Sequence, residues 1–146
     1  MDLEDFLPYR LSVVTEAVSR ALAAVYADRF ALTRDEWLVL AQLADARELK
    51  ATELGARTSL PKMAVSRAVT RLERDGLIAR MPDAEDRRNL VVRLLPAGRT
   101  LYRKVETMVL ERESFLREGM SEAERRALLS ALERLEMRAR ALGRRD

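Results

Sequence analysis

A mainly α chain with one small β-hairpin is expected, and three stretches carry that expectation. Residues 61–76 form a short amphipathic run with Pro61 at its start and Gly76 at its end. Residues 77–81 and 90–95 are rich in apolar and β-branched side chains, and the polar turn Pro82-Asp-Ala-Glu-Asp-Arg-Arg-Asn89 separates them. Long apolar-striped segments lie at both ends of the chain. Helix, glycine, strand, charged turn and strand, in that order, outline a winged helix-turn-helix flanked by N- and C-terminal helices.

The first helix is expected from about residue 8 to 29, with Leu7, Leu11, Val14, Val18, Leu22 and Val25 on one stripe. A second begins at Thr33, where Glu36 three residues on makes a capping box, and it turns Trp37, Leu40 and Leu43 or their neighbours to the core. A short third helix starts near Thr52 and carries Leu54. In the fourth, Val65, Ala68, Val69 and Leu72 share a face, while Lys62, Met63, Ser66, Arg67, Thr70, Arg71 and Arg74 fall largely off it. Pro61 suits a first turn, because its missing N–H would be unpaired there, and Gly76 suits the left-handed residue that ends a helix. After the hairpin, Gly98 marks re-entry into a long helix with Leu101, Val105, Met108 and Phe115. Gly119 breaks it, and Ser121 with Glu124 forms a second capping box. The last helix carries Leu128, Leu132, Leu135, Ala139 and Leu142, spaced four and three apart in a near-heptad seam.

Composition narrows the function. The 146 residues suit one domain, and 48% hydrophobic content supplies a core. There is no cysteine and no histidine, which removes disulfides, thiolate metal sites and the commonest general base. The longest apolar run, residues 21–27, is too short to span a bilayer, and the acidic start Met1-Asp-Leu-Glu-Asp5 lacks the basic region of a signal peptide. A cytoplasmic protein without membrane contact is expected. Of 27 Lys/Arg and 24 Asp/Glu, nine and five lie in residues 57–93, which leaves 18 against 19 elsewhere. The positive excess therefore sits on the proposed reading element, as a duplex binder requires.

Other motifs carry less. Ser59-Leu-Pro-Lys62 matches S-x-x-K, but the companion S-D-N and K-T-G motifs are absent. No phosphate-binding glycine loop is present. Asp83, Glu85 and Asp86 lack calcium-loop spacing and read as turn caps that hold neighbouring arginines. No catalytic residue, metal or cofactor is expected. A winged helix can also act as a protein-interaction module that never touches DNA. Such an adaptor needs an apolar patch on the outer face of the fourth helix, where only Met63 is apolar.

The segment Asp86-Arg-Arg88-Asn-Leu-Val-Val92-Arg-Leu94 resembles the D-x-R-x-x-x-V-x-L wing signature of the MarR family of bacterial transcription regulators, with Leu95 where that family usually has threonine or serine. Ser66-Arg67 and the run from Leu72 through Gly76 to Ile78 resemble the family's recognition helix and its exit. The similarity covers nearly the whole chain. Residues 6–12 and 33–40 also resemble a subgroup associated with aromatic-acid metabolism. The resemblance implies a single domain over 1–146, with dimerisation helices at about 8–30 and 98–146 around a winged-helix core at about 33–96. It implies a homodimeric repressor on an inverted repeat of double-stranded DNA. Lys62, Met63, Ser66, Arg67, Thr70 and Arg71 would read the major groove, and Arg87, Arg88 and Asn89 would act from the wing, with Arg88 as the signature arginine. Family ligand pockets lie between the dimerisation helices and the winged domain. Tyr9, Arg10 and Trp37 are the candidates there, for a small aromatic carboxylate or its coenzyme A thioester.

Overall fold

The computed structural model describes residues 1–144. Helices α1 (Leu7–Tyr26) and α2 (Arg34–Ala46) lead into a short strand β1 (Glu48–Lys50). Helices α3 (Ala51–Thr58) and α4 (Lys62–Arg74) follow, then strands β2 (Ile78–Pro82) and β3 (Leu90–Leu94) and helices α5 (Pro96–Leu116) and α6 (Glu122–Leu142). The strands form one antiparallel sheet in the order β1-β3-β2. Glu48 lies opposite Arg93, and Ile78 to Pro82 run against Leu94 to Leu90. This is the winged helix-turn-helix that the residue pattern predicts. The described helices are all too short or too polar to cross a membrane.

The chain forms two compact units, one from Met1 to Arg112 and one from Glu113 onward. The first holds the core. Val39, Leu40, Leu43, Leu54, Val92 and Val105 are fully buried, and Val65, Ala68, Val69 and Leu72 close on them from α4. Truncating one of these leucines to alanine costs about 2–5 kcal/mol, the lost transfer energy plus the cavity left behind. Thr33 caps α2 as expected: its hydroxyl accepts from the Glu36 N–H, and the Glu36 carboxylate accepts from the Thr33 N–H.

Several boundaries differ from the expectation, each for a local reason. α1 ends at Tyr26 rather than near residue 29, because the Leu32 N–H returns to the Tyr26 carbonyl and Ala31 adopts φ 53°. Pro61 stands just before α4 with ψ 149°, outside the helix it introduces. Strand β2 is shifted one residue, to Ile78–Pro82, and tolerates Pro82 because it is an edge strand. β3 stops at Leu94 because Pro96 opens α5 at once, ahead of Gly98. Gly98 has a different role. A Cβ there would sit 2.1 Å from the Leu77 carbonyl oxygen, so glycine lets α5 lie directly on the chain entering β2.

In the second unit Gly119, with φ 80°, turns the chain between α5 and α6. Ser121 and Glu124 then form the expected capping box. α6 buries none of its residues, and Leu128, Leu129, Leu132, Met137 and Leu142 are exposed along it.

Candidate nucleic-acid interface

Helix α4 has two faces of opposite character. Ala64, Val65, Ala68, Val69 and Leu72 are buried, and Lys62, Met63, Ser66, Arg67 and Thr70 are exposed. Two turns of exposed face, about 12 Å from Lys62 to Thr70, match the length a helix presents to base edges in a major groove. Among the described residues Lys62 and Arg67 make no ion pair and no side-chain hydrogen bond. Both are donors without an acceptor. Ser66, Arg67 and Thr70 line a shallow depression of about 270 Å³ with Arg71 and Arg74.

Arg71, expected in the reading set, is already engaged within the fold. Its guanidinium faces inward, donating to both Glu36 carboxylate oxygens at 2.9 and 3.1 Å and to the Ala31 carbonyl at 2.6 Å. Glu36 is only 3% exposed, so the bridge pins α4 to the start of α2 and to the turn before it. Arg74 is likewise engaged, with Asp75 at 3.2 Å.

The wing is fixed to the helix-turn-helix at two points. Arg80 of β2 donates to Glu73 of α4 through its side chain at 2.8 Å and through its backbone N–H at 3.0 Å. The Arg80 guanidinium holds the Glu73 carboxyl below its ordinary pKa. Lys50 reaches Asp83 at 3.3 Å, which joins the start of α3 to the root of the wing tip. Asp83 is almost fully buried and accepts the Glu85 N–H; that bond, with the Lys50 ammonium beside it, lowers its pKa. Neither pair was anticipated. Lys50 and Asp83 are far apart in sequence, and Glu73 and Arg80, though only seven residues apart, lie on a helix and a strand with a turn between them, so no helical or strand spacing links either pair.

At the tip, Asp86 orders the turn. It accepts the Arg88 N–H and guanidinium and the Asn89 amide. Arg88 is still 92% exposed, and Arg87 is exposed with no partner among the described residues. Asp83 and Asp86 therefore act as caps, although Asp83 holds a lysine rather than a neighbouring arginine.

The candidate ligand residues are not brought together within one chain. Trp37 stacks on Tyr102 of α5, ring centroids 5.2 Å apart and planes 12° apart, and packs against the core. Burial, followed by the hydrogen bond its hydroxyl donates to Glu106 at 2.6 Å, pushes the Tyr102 pKa up to about 12. Tyr9 and Arg10 are exposed near the other end of α1, and Arg10 pairs with Glu4 at 3.3 Å. Only the far end of α1, from Leu22 and Ala23 to the buried Val25 and Tyr26, packs on the same core as Trp37. Thirteen helical residues, about 20 Å, separate Leu22 from Tyr9.

Comparison with known proteins agrees with this architecture. Residues 32–90 match the sequence model of the MarR family. Over 83 residues the chain is 30% identical to the homoprotocatechuate degradative operon repressor of Escherichia coli. That match covers 57% of this chain and 56% of the repressor, so the chain spans little more than half the length of this curated relative. A MarR-family transcriptional regulator from Silicibacter pomeroyi superposes with a TM-score of 0.79 at 26% identity, over 92% of this chain and 90% of that one. BpsR of Bordetella bronchiseptica, whose DNA binding is regulated by 6-hydroxynicotinic acid, shares the fold with a TM-score of 0.86 at 22% identity, over 93% and 96%. The winged helix-turn-helix segment of the chain, residues 32–90, is what carries the similarity to the MarR family.

Proposed function

We propose that the protein is a homodimeric, sequence-specific DNA-binding transcription regulator, a repressor released by a small aromatic acid. The observation that carries the reading is the selective freedom of two cations on α4. Arg71 and Arg74 are engaged by carboxylates, while Lys62 and Arg67 point outward unpaired beside Ser66, Thr70 and Met63. Arg67 is the residue for a bidentate contact to guanine, and Lys62 for phosphate. From the wing, Arg87 inserts toward a narrow minor groove, with Arg88 and Asn89 held by Asp86 beneath it.

Dimerisation is supported by apolar side chains that the single chain leaves uncovered. Leu7, Val13 and Val14 are exposed on α1, and α6 exposes the leucines and methionine named above. A second copy that covers these faces sets two reading helices about 34 Å apart, one turn of duplex, and so dictates an inverted repeat. The effector class follows from the relatives: the E. coli repressor is named for an aromatic catabolic operon, and BpsR responds to an aromatic acid. In the dimer, Tyr9 and Arg10 offer an aromatic surface and a cation for such a carboxylate or its coenzyme A thioester, and Trp37, half-buried and stacked on Tyr102, offers a second aromatic surface.

Selection of duplexes from a random pool by the purified protein tests the reading. Enrichment of an inverted repeat, lost on adding members of an aromatic-acid panel, is expected. A pool that stays random after several rounds would sink the DNA-binding reading.

A further inference from the structure

An open cleft of about 690 Å³ lies at the base of the wing, lined by the end of α2, β1, the end of β3 and the first turns of α5. Arg93 and Leu94 on its wall are at the end of β3 away from the tip, about 13 Å along the strand from Leu90. The lining holds four arginines and one carboxylate: Arg47, Arg93, Arg99 and Arg103, against Glu48. Glu48 is already taken, because Arg93 holds it at 2.8 Å. Arg47, Arg99 and Arg103 make no ion pair and no side-chain hydrogen bond among the described residues. Asp45 and Glu106 border an adjoining depression shared with Arg99 and Arg103. Neither pairs with the arginines, and Glu106 is held by the Tyr102 hydroxyl.

Arg47 adds an independent oddity. It ends α2 with φ 67° and ψ −47°, a region unfavourable for any residue with a Cβ, where glycine would relax the chain. Its backbone is fixed on both sides: its N–H donates to the Leu43 carbonyl, and its carbonyl accepts from the Leu94 N–H. An arginine is thus held in a strained position at the cleft mouth.

We infer that this cleft is a binding site for a small polyanion bearing two or more phosphate or carboxylate groups. The volume is that of a small-ligand site. Guanidinium forks bind both groups bidentately, and three of them lie together with no protein carboxylate in an ion pair with them among the described residues. The site is separate from the exposed face of α4 and from the wing tip, and it does not rest on the DNA-binding reading.

Calorimetric titration of the full chain with inorganic pyrophosphate and with citrate, at constant ionic strength, tests the inference. Saturable binding of one anion per chain is expected, and the tighter of the two probes identifies the preferred group. The double variant Arg99→Gln, Arg103→Gln should bind roughly tenfold or more weakly per arginine removed. Arg47→Gly should also bind more weakly while unfolding at an equal or higher temperature, since glycine relieves the backbone. Arg67→Gln, on the α4 face, should bind like the parent. Absence of saturable heat with both anions overturns the inference, as does equal loss in Arg67→Gln. So does a double variant that keeps its anion affinity but loses duplex affinity, which would make the cleft part of a DNA surface.

Discussion

Replacing Arg71 with methionine separates a structural tether from a DNA contact. The substitution keeps an unbranched apolar stem but removes the guanidinium, so two hydrogen bonds to Glu36 and one to the Ala31 carbonyl are lost. Breaking a fully buried ion pair from one side costs about 3–5 kcal/mol, because the remaining charge is left uncompensated. Here Glu36 is buried, but the Arg71 side chain is 36% exposed, so water replaces part of what is lost. Glu36 also keeps the N–H of Thr33. The net cost is therefore about 2–3 kcal/mol, below the fully buried figure. Urea unfolding at fixed protein concentration measures it. In a double-mutant cycle with Glu36→Gln, the second substitution should cost much less once the first is made. The reasoning fails if Arg71→Met loses under about 0.5 kcal/mol of stability, the level of an ordinary surface change, while duplex affinity falls sharply. That outcome would make Arg71 a DNA contact rather than a tether.

Other perturbations reach different parts of the structure. Gly98→Ala should destabilise by about 1–3 kcal/mol or more, since its Cβ collides with the Leu77 backbone; a thermal midpoint equal to the parent's would contradict the close approach. Arg67→Ala should reduce discrimination at one base pair by about 1–3 kcal/mol; equal losses on operator and random duplex would reduce Arg67 to a phosphate contact. The Asp83, Glu73 and Glu122 carboxyls are all depressed, by the Glu85 N–H and Lys50, by Arg80, and by Arg125 and Arg126 respectively. A depressed folded pKa stabilises above the unfolded value and loses that contribution as pH falls through the folded one. With no histidine in the chain, stability should be nearly level from about pH 5 to 8 and decline below about pH 4; a transition near pH 6 would contradict this.

What could be read from the residues was whatever is local. Val65, Ala68, Val69 and Leu72 share a face by spacing alone, and all four are buried. Thr33–Glu36 and Ser121–Glu124 need only three residues of context, and both capping boxes form. β1 carried no such signal: Glu48-Leu-Lys50 is too short to alternate, and it is a strand because β3 lies beside it. Arg71 looked like its neighbours on the outer face of α4. Only the fold brings Glu36, 35 positions earlier, under its guanidinium. Trp37 illustrates the same limit. Its spacing favoured a core position over a pocket, and only the fold brings Tyr102 of α5 against its ring.

The central claim is that two copies of this chain grip one duplex through outward cations on α4 and the wing. Affinity for the selected repeat, measured against salt, bears on it alongside the mass of the complex. With Arg67 on a base edge, Lys62, Arg87 and Arg88 from each of two chains neutralise about six phosphates, so log affinity should fall against log salt with a slope of about −5. The complex should contain two chains. A slope near zero, or one chain on the duplex, would contradict the account.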